Sequence, residues 1–395
     1  MANQMKKTLL VTLDFPPNLG GVAAYYYNVC KNLPADKIVV LAPEQEGAHD
    51  FDLKQHFPIV RKNLIKHLPN QTASNLAGLS KISATFKWLS IIKHIKQVAT
   101  SHKIDLIAVG QILPLGTLAL LCQKRRHIPY VVFTHGLDVT LPQNFKRKKL
   151  LLQKIIDNAQ AIIANSYFTK DELTKLGANP QKVTVVYPCP NLIQEQPSEW
   201  KLEELIHDLN LKDKKIILSV GRLIARKGYD MIIRALPQVI KQIPQAVYLI
   251  IGSGPSQKIL EDLVNQNGLR DQVKFLGAVP QHDLSAYYYL CHVLAMPNRQ
   301  LENGDVEGFG TVFLEANLFG KPVIGGRSGG APEAIINGKT GLLVSPTSVD
   351  EITAALIKIL SDPAYGERLG MQGLERVVNE FDWPTQTEKI KEILK

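Results

Sequence analysis

The chain has 395 residues, 45% of them hydrophobic and 21% charged, with 27 Gly, 23 Pro and 4 Cys. This balance fits a soluble globular chain of two or three domains and excludes the collagen-like, disordered and disulfide-framework classes. The formal charge of +10 belongs to one half, with residues 1–190 carrying +13 and the remainder −3, so an anionic partner is expected for the first half.

Short β-branched runs alternate with helical patterns along the whole chain, which predicts mostly parallel sheets covered by helices. In the first half the expected strands are 8–15, 37–42, 104–109, 130–134, 161–165 and 183–186. Between the second and third of these, residues 81–103 predict a helix with Ile82, Phe86, Leu89, Ile92 and Ile95 on one face. Trp88 and Ile91 lie beside that face, and Lys81, Lys87, Lys93, Lys96 and Lys103 are interleaved. Two readings fit this pattern, an interfacial membrane helix and a core-facing helix with a solvated basic side. Arg61, Lys62 and Lys66 form a second basic cluster, and Lys146, Arg147, Lys148 and Lys149 with Lys154 form a third. The longest apolar run, 106–122, contains Gly110, Gln111, Pro114 and Gly116. It therefore predicts a strand, a turn and a helix, since a spanning helix needs about 20 apolar residues.

A boundary is expected in 187–199, where Pro188, Pro190 and Pro197 interrupt both periodicities. The pattern then restarts with strands at 215–220, 246–251, 273–276, 292–296, 322–325 and 341–344, followed by a helical tail over 349–395. The expected organisation is α/β, with Rossmann-like domains at 1–190 and 191–375 and a C-terminal helix over 376–395 that crosses back to the first. In two doubly wound domains facing across a cleft, ligands bind at the carboxyl ends of the strands. Cys30, Cys122, Cys189 and Cys291 have no CxxC spacing, which removes zinc, cluster and thioredoxin chemistry. With no secretory signature at the start, the expected location is cytoplasmic.

Several strand ends carry candidate chemistry. The first strand runs into Pro16, Pro17, Asn18, Leu19, Gly20 and Gly21 before a helix, a turn whose amides suit a phosphate or which simply turns tightly. Thr134-His135-Gly136 places an imidazole at another strand end. Gly221-Arg222-Leu223 followed by Arg226-Lys227-Gly228 sets cations at a helix start, as a diphosphate requires. Arg222 and Lys227 are both expected to be cations whose removal leaves folding intact. Glu307 and Glu315 stand eight residues apart, separated by Gly308, Phe309, Gly310, Thr311, Val312, Phe313 and Leu314. Glu307 on the loop would sit in the cleft or simply complement the helix dipole, the amides at the helix start suit a phosphate, and the carboxylate one turn further on suits a ribose. Gly252-Ser253-Gly254 has Gln257 where a dinucleotide fingerprint needs a third glycine. No P-loop occurs. Asp50-Phe51-Asp52 lies in a polar loop away from any buried strand and is rejected as a metal site.

Taken in order and spacing over essentially the full chain, Gly20-Gly21, Thr134-His135-Gly136, Gly221-Arg222-Leu223 with Lys227-Gly228, and the E-x7-E run Glu307 to Glu315 resemble the retaining GT-B glycosyltransferases of family 4. Asp305 to Gly310 and Ser328-Gly329-Gly330-Ala331-Pro332-Glu333 resemble the phosphatidylinositol mannosyltransferases and related GDP-mannose enzymes. Enzymes using UDP-glucose or UDP-N-acetylglucosamine share most of these residues. Tyr187-Pro188-Cys189-Pro190-Asn191 departs from the family's usual run at the domain junction.

The resemblance implies a metal-independent hexosyltransferase with no cofactor beyond its nucleotide-sugar substrate. Arg222 and Lys227, with the Gly20 and Gly21 amides and Gly221, would hold the donor diphosphate. Glu307 would bind the sugar beside the amides of Gly308 to Thr311, Glu315 would take the ribose, and backbone around Gly277 to Val279 would read the base. His135 would contact the sugar and the acceptor. The expected acceptor is a glycan or lipid-linked group at the inner membrane surface, approached by the basic first half. Nucleic-acid binding, which the charge alone would also permit, leaves the strand-end motifs unexplained. A sugar-nucleotide epimerase or a catalytically dead sensor sits poorly with two carboxylates and two cations in one constellation.

Overall fold

The computed structural model describes residues 4–17, 20–64, 79–192 and 194–395, with the side chains of 79–89 outside the description. Two compact units divide the chain. One comprises Met1–Pro188 together with Trp383–Lys395, and the other is Cys189–Asp382.

The first unit is built on a seven-stranded sheet of β1 (Thr8–Val11), β2 (Ile38–Pro43), β3 (Ile59–Lys62), β4 (Leu106–Val109), β5 (Tyr130–Thr134), β6 (Ala161–Ala164) and β7 (Val183–Val185). Its order is β3-β2-β1-β4-β5-β6-β7, with every neighbouring pair parallel. Side chains alternate across a strand, and here both faces are buried. Leu9, Val11, Val39, Leu41, Ile107 and Val109 enter one apolar core, while Leu10, Ile38, Val40, Leu106 and Ala108 enter another on the opposite face. Continuous runs such as IVVLAP in β2 therefore replace the polar–apolar alternation of a half-exposed strand.

β3 is absent from the sequence expectation, and its composition explains why. IVRK is half-buried at all four positions and lies at the edge of the sheet, so it has neither period-2 contrast nor an apolar run. Arg61 within it donates to both carboxylate oxygens of Asp52, at 2.9 and 2.7 Å, and to the carbonyls of Pro16 and Pro43. Arg61, expected in a basic cluster with Lys62 and Lys66, is thus paired within the fold, which gives Asp52 a structural role. Lys66 lies outside the described residues.

The helix Leu79–Ser101 follows. Ile91, Ile92 and Ile95 are buried in the first core with Val98 and Ala99, and Lys93 is exposed. Over these turns the helix is core-facing, with Lys93, Gln97 and Thr100 on its exposed side. The side chains of Lys81, Ile82, Phe86, Lys87, Trp88 and Leu89 lie outside the described residues.

The second unit carries β8 (Lys215–Val220), β9 (Ala246–Ile251), β10 (Val273–Gly277), β11 (Val293–Met296), β12 (Val323–Gly326) and β13 (Gly341–Val344). They form a parallel sheet in the order β10-β9-β8-β11-β12-β13. Both sheets reverse their strand order once, beside β1 and β4 in the first and beside β8 and β11 in the second. The loops leaving these strands are where doubly wound sheets place ligands.

Residues 376–380 belong to the helix Pro363–Glu380 of the second unit, and the segment returning to the first unit begins at Trp383. Its helix, Trp383–Ile393, is held by apolar burial and backbone bonding together. Ile390 and Leu394 sit in the core with Leu10 and Tyr26, the Trp383 ring meets Tyr25 edge-on at 5.5 Å, and the Lys6 amide donates to the Leu394 carbonyl at 2.8 Å. Ile390→Ala, which empties a fully buried position, is expected to destabilise the first unit by about 3 kcal/mol, measured as a shift of its denaturant midpoint.

Candidate functional site

In the second unit, β8 ends at Val220 and the chain turns through Gly221, Arg222 and a short 3-10 turn, Ala225–Lys227, into the helix Tyr229–Gln242. The Gly252-Ser253-Gly254 loop packs against this turn. A Cβ on Gly252 would lie 2.0 Å from the Gly221 carbonyl oxygen, so this glycine pair serves close packing of two loops and not a dinucleotide.

Lys227 is buried, and its ammonium donates to Glu307 Oε2. Arg226 donates through Nε to Asp305 Oδ1 at 3.0 Å, with Nη1 3.7 Å from Glu307. Asn298 Nδ2 lies 3.5 Å from the same Glu307 oxygen. Burial pushes the Glu307 carboxyl up, but Lys227 and Arg226 more than offset it and hold the group below its ordinary range. Asp305, with less compensation, is raised by burial. Arg226 Nη1 and Asn298 Oδ1 are sealed from solvent with no hydrogen-bond partner among the described residues. Unsatisfied groups of this kind are costly unless something polar meets them. Arg222, in contrast, is exposed; its carbonyl accepts from the Ile224 amide at 2.9 Å, and its guanidinium makes no hydrogen bond or salt bridge to a described residue.

The run from Glu307 to Glu315 crosses from loop to helix. Gly310, at φ +96°, is the N-cap of the helix Thr311–Leu318, and a Cβ there would fall 2.7 Å from the Phe313 ring. Phe309 is buried with its ring 5.8 Å from Phe381, so only its backbone is placed to meet a ligand. Glu315 accepts a 2.7 Å hydrogen bond from the Tyr288 hydroxyl. Its carboxyl is raised by burial, against the pull of Tyr288 and Lys227. Tyr288 is fully buried and stacks on Phe319 at 6.0 Å. Gly277, at φ +67°, closes β10 with open space where a Cβ would stand, and Val279 follows half-buried.

In the first unit, Gly20 and Gly21 open the helix Gly21–Lys31, both exposed; Asn18 and Leu19 lie outside the described residues. His135 follows β5, and its backbone amide donates to Asp138 Oδ1 at 2.8 Å. Burial lowers the imidazole to a pKa of about 4. Tyr26, on the glycine-led helix, meets His135 Nε2 at 2.5 Å. Burial, partly offset by backbone hydrogen bonds, pushes Asp138 up to about 6, and its Oδ2 is sealed without a partner among the described residues.

The structure thus joins Arg226, Lys227, Asn298, Asp305 and Glu307 in one network and His135 with the helix of Gly20 and Gly21 in another. Asn298, Tyr288, Tyr26 and Asp138 have no sequence-level assignment. The signal for Asn298 was its position just beyond β11, and the tyrosines read as ordinary helix residues.

Parallel doubly wound units of seven and six strands with this loop chemistry define the GT-B glycosyltransferase fold. A model of glycosyltransferase family 4 matches residues 19–192, and one of group 1 glycosyl transferases matches residues 202–376. The chain is 30% identical over 394 residues to a GDP-mannose-dependent alpha-(1-6)-phosphatidylinositol monomannoside mannosyltransferase of Mycolicibacterium smegmatis, covering 98% of this chain and 97% of that protein. A GDP-mannose-dependent monoacylated alpha-(1-6)-phosphatidylinositol monomannoside mannosyltransferase of Corynebacterium glutamicum is also 30% identical, with 98% of each chain covered. Among solved structures, Anabaena HepE in complex with UDP superposes with a TM-score of 0.80 at 22% identity, over 98% of this chain and 99% of that one. The chain belongs to the family 4, group 1 glycosyltransferases, and it is a glycosyltransferase.

Two predictions arise from the electrostatics. The expectation that Lys227 could be removed without affecting folding is corrected by its burial against Glu307: Lys227→Ala strands a buried carboxylate and is expected to cost about 3 kcal/mol. Lys227→Ala combined with Glu307→Gln should recover most of that loss in urea titrations. For Asp138, whose folded pKa is raised, stability is fully present below the ordinary carboxylate range and is lost as pH rises through about 6. Asp138→Asn keeps the side chain neutral, so it is expected to raise the Tm at pH 7.5, with the gain shrinking towards pH 4.

Proposed function

We propose that the protein transfers mannose from GDP-mannose, with retention of configuration and without a metal ion, to a lipid-linked or glycan acceptor at an anionic membrane surface. The observation that carries this reading is the 30% identity, over nearly the whole chain, to GDP-mannose-dependent mannosyltransferases of two bacteria.

The chemistry follows from the charges in the second unit. When the bond between the anomeric carbon and the diphosphate breaks, negative charge develops on the leaving oxygen, and fixed cations there lower the barrier. Arg222 is an exposed cation whose guanidinium makes no hydrogen bond or salt bridge among the described residues, and Lys227 supplies a second once a sugar hydroxyl engages Glu307. Glu315, pinned through one oxygen by Tyr288, has its other oxygen for the ribose. In the retaining course the acceptor hydroxyl attacks the face the diphosphate leaves. Its proton passes to the departing phosphate oxygen as the new C–O bond forms.

Surface chemistry supports the membrane part. The helix Lys146–Asn158 opens on Lys146, Arg147, Lys148 and Lys149, with no acidic residue in its first turn. Four cations at the positive end of a helix oppose its dipole, and Phe145 and Leu150 beside them are more than half exposed. An anionic lipid surface would relieve the repulsion and cover the apolar pair. Among the described residues no helix is long and apolar enough to cross a membrane, so the contact proposed is peripheral.

Thermal stabilisation in the presence of a chelator tests the donor, since a ligand that binds only the folded state raises the midpoint. A rise with GDP larger than with UDP or ADP is expected. A UDP-selective rise would replace mannose by a UDP-sugar, and dependence on added Mg2+ would overturn the metal-free reading. Charge reversal of Lys146 to Lys149 is expected to release the protein from phosphatidylglycerol vesicles while turnover of a soluble acceptor stays within about twofold. Unchanged vesicle binding would remove the membrane part.

A further inference from the structure

Tyr26 is fully buried on the helix Gly21–Lys31, and its hydroxyl has two partners, the Gly110 carbonyl and His135 Nε2. The phenol has one proton. A carbonyl oxygen only accepts, so that proton lies in the bond to Gly110. The second bond, at 2.5 Å, must then take its proton from the imidazole. We propose that Tyr26 is a positioning residue that holds His135 as its Nε2–H tautomer and so presents Nδ1 to the substrate as a pure hydrogen-bond acceptor, selective for a sugar hydroxyl.

Burial keeps both partners in the states this needs. It raises the Tyr26 phenol well above its ordinary pKa and lowers His135 to about 4, so at neutral pH the ring carries a single proton. The ring is also held in orientation. Tyr25 and Tyr26 meet it edge-on with centroids 5.4 Å away, Asn165 Nδ2 donates to the His135 carbonyl at 3.3 Å, and Asp138 accepts the His135 amide proton. No described residue bonds Nδ1. Gly110 lets the three groups converge, since a Cβ there would stand 2.9 Å from both Tyr26 Cε2 and Thr12 Oγ1.

An imidazole lone pair attracts a hydroxyl and repels a phosphate or carbonyl oxygen. The residue would therefore face the transferred sugar and not its diphosphate. This part rests on the proposed sugar-nucleotide reading; the tautomer itself does not. When Tyr26 is replaced by Phe, Nε2 loses the phenol oxygen that accepts its proton, and the proton is better placed on Nδ1, which reverses the polarity offered to substrate.

The test uses the full chain labelled with 15N, with the His135 ring signals identified by their loss in His135→Gln. At pH 7 the wild-type ring should carry its proton on Nε2, and Tyr26→Phe should move it to Nδ1. A wild-type proton on Nδ1 overturns the proposal, and the wild-type measurement decides it even if Tyr26→Phe fails to fold. A Tyr26→Phe ring that is folded and still protonated on Nε2 overturns it too. The companion readout is kcat/KM for GDP-mannose and its 3-, 4- and 6-deoxyfluoro analogues. In the wild type one fluorine should cost at least about tenfold, and in Tyr26→Phe that cost should shrink to within about threefold. An equal cost in both proteins overturns the selectivity. If GDP-mannose is no donor at all, the functional reading fails while the nitrogen spectra still decide the tautomer.

Discussion

Every strand of the two sheets is parallel to its neighbours, and a parallel sheet must be covered on both faces. That constraint leaves the strand ends as the places where the chain can offer polar groups to a ligand. Gly110 follows β4, His135 follows β5, Gly221 to Lys227 follow β8, and Asn298 follows β11. Within each unit these residues lie at the carboxyl edge of that unit's own sheet, beside or near the point where its strand order reverses. The long apolar strands fix that edge, and the loops supply the chemistry.

Within the second unit the same burial that builds the sheet sets the electrostatics. Glu307 is taken out of water, and Lys227 with Arg226 keeps it ionised. Such a pair contributes little net stability, because desolvation consumes most of the attraction, yet breaking it is costly. Glu315 is a different case. Its carboxyl is also buried but is shared with a neutral phenol, which restrains its geometry without cancelling its capacity to accept a proton or a hydroxyl hydrogen bond.

Much of this was legible in the sequence because its signals are local. Apolar runs bounded by glycine marked strands such as β8 and β9 almost to the residue, and the charged or glycine-rich ends of those runs marked the loops. What was not legible depends on partners remote in the chain. Arg61 reads as a surface cation until Asp52 and the Pro16 and Pro43 carbonyls are placed around it. IVRK carries no pattern because an edge strand is half-covered everywhere. Tyr26 reads as one of three consecutive tyrosines in a helix, and only the folded register separates it from Tyr25 and Tyr27 by giving it Gly110 and His135. Lys227 was recognised as a cation, but its burial, and with it the cost of removing it, arises from a carboxylate 80 residues away.

The return of the chain at Trp383 gives the molecule a history as well as a shape. The first unit is begun first and completed last, since Ile390 and Leu394 fill its core only after the whole of the second unit has been synthesised. On the ribosome the second unit can close around a continuous stretch of chain. The first must wait, with the apolar side chains of Leu10, Tyr25 and Tyr26 lacking Ile390 and Leu394 for the time needed to translate nearly two hundred further residues. At about 5–20 residues per second that interval is on the order of ten seconds or more, long enough for a chaperone to meet these apolar side chains before the chain's own C-terminal helix does.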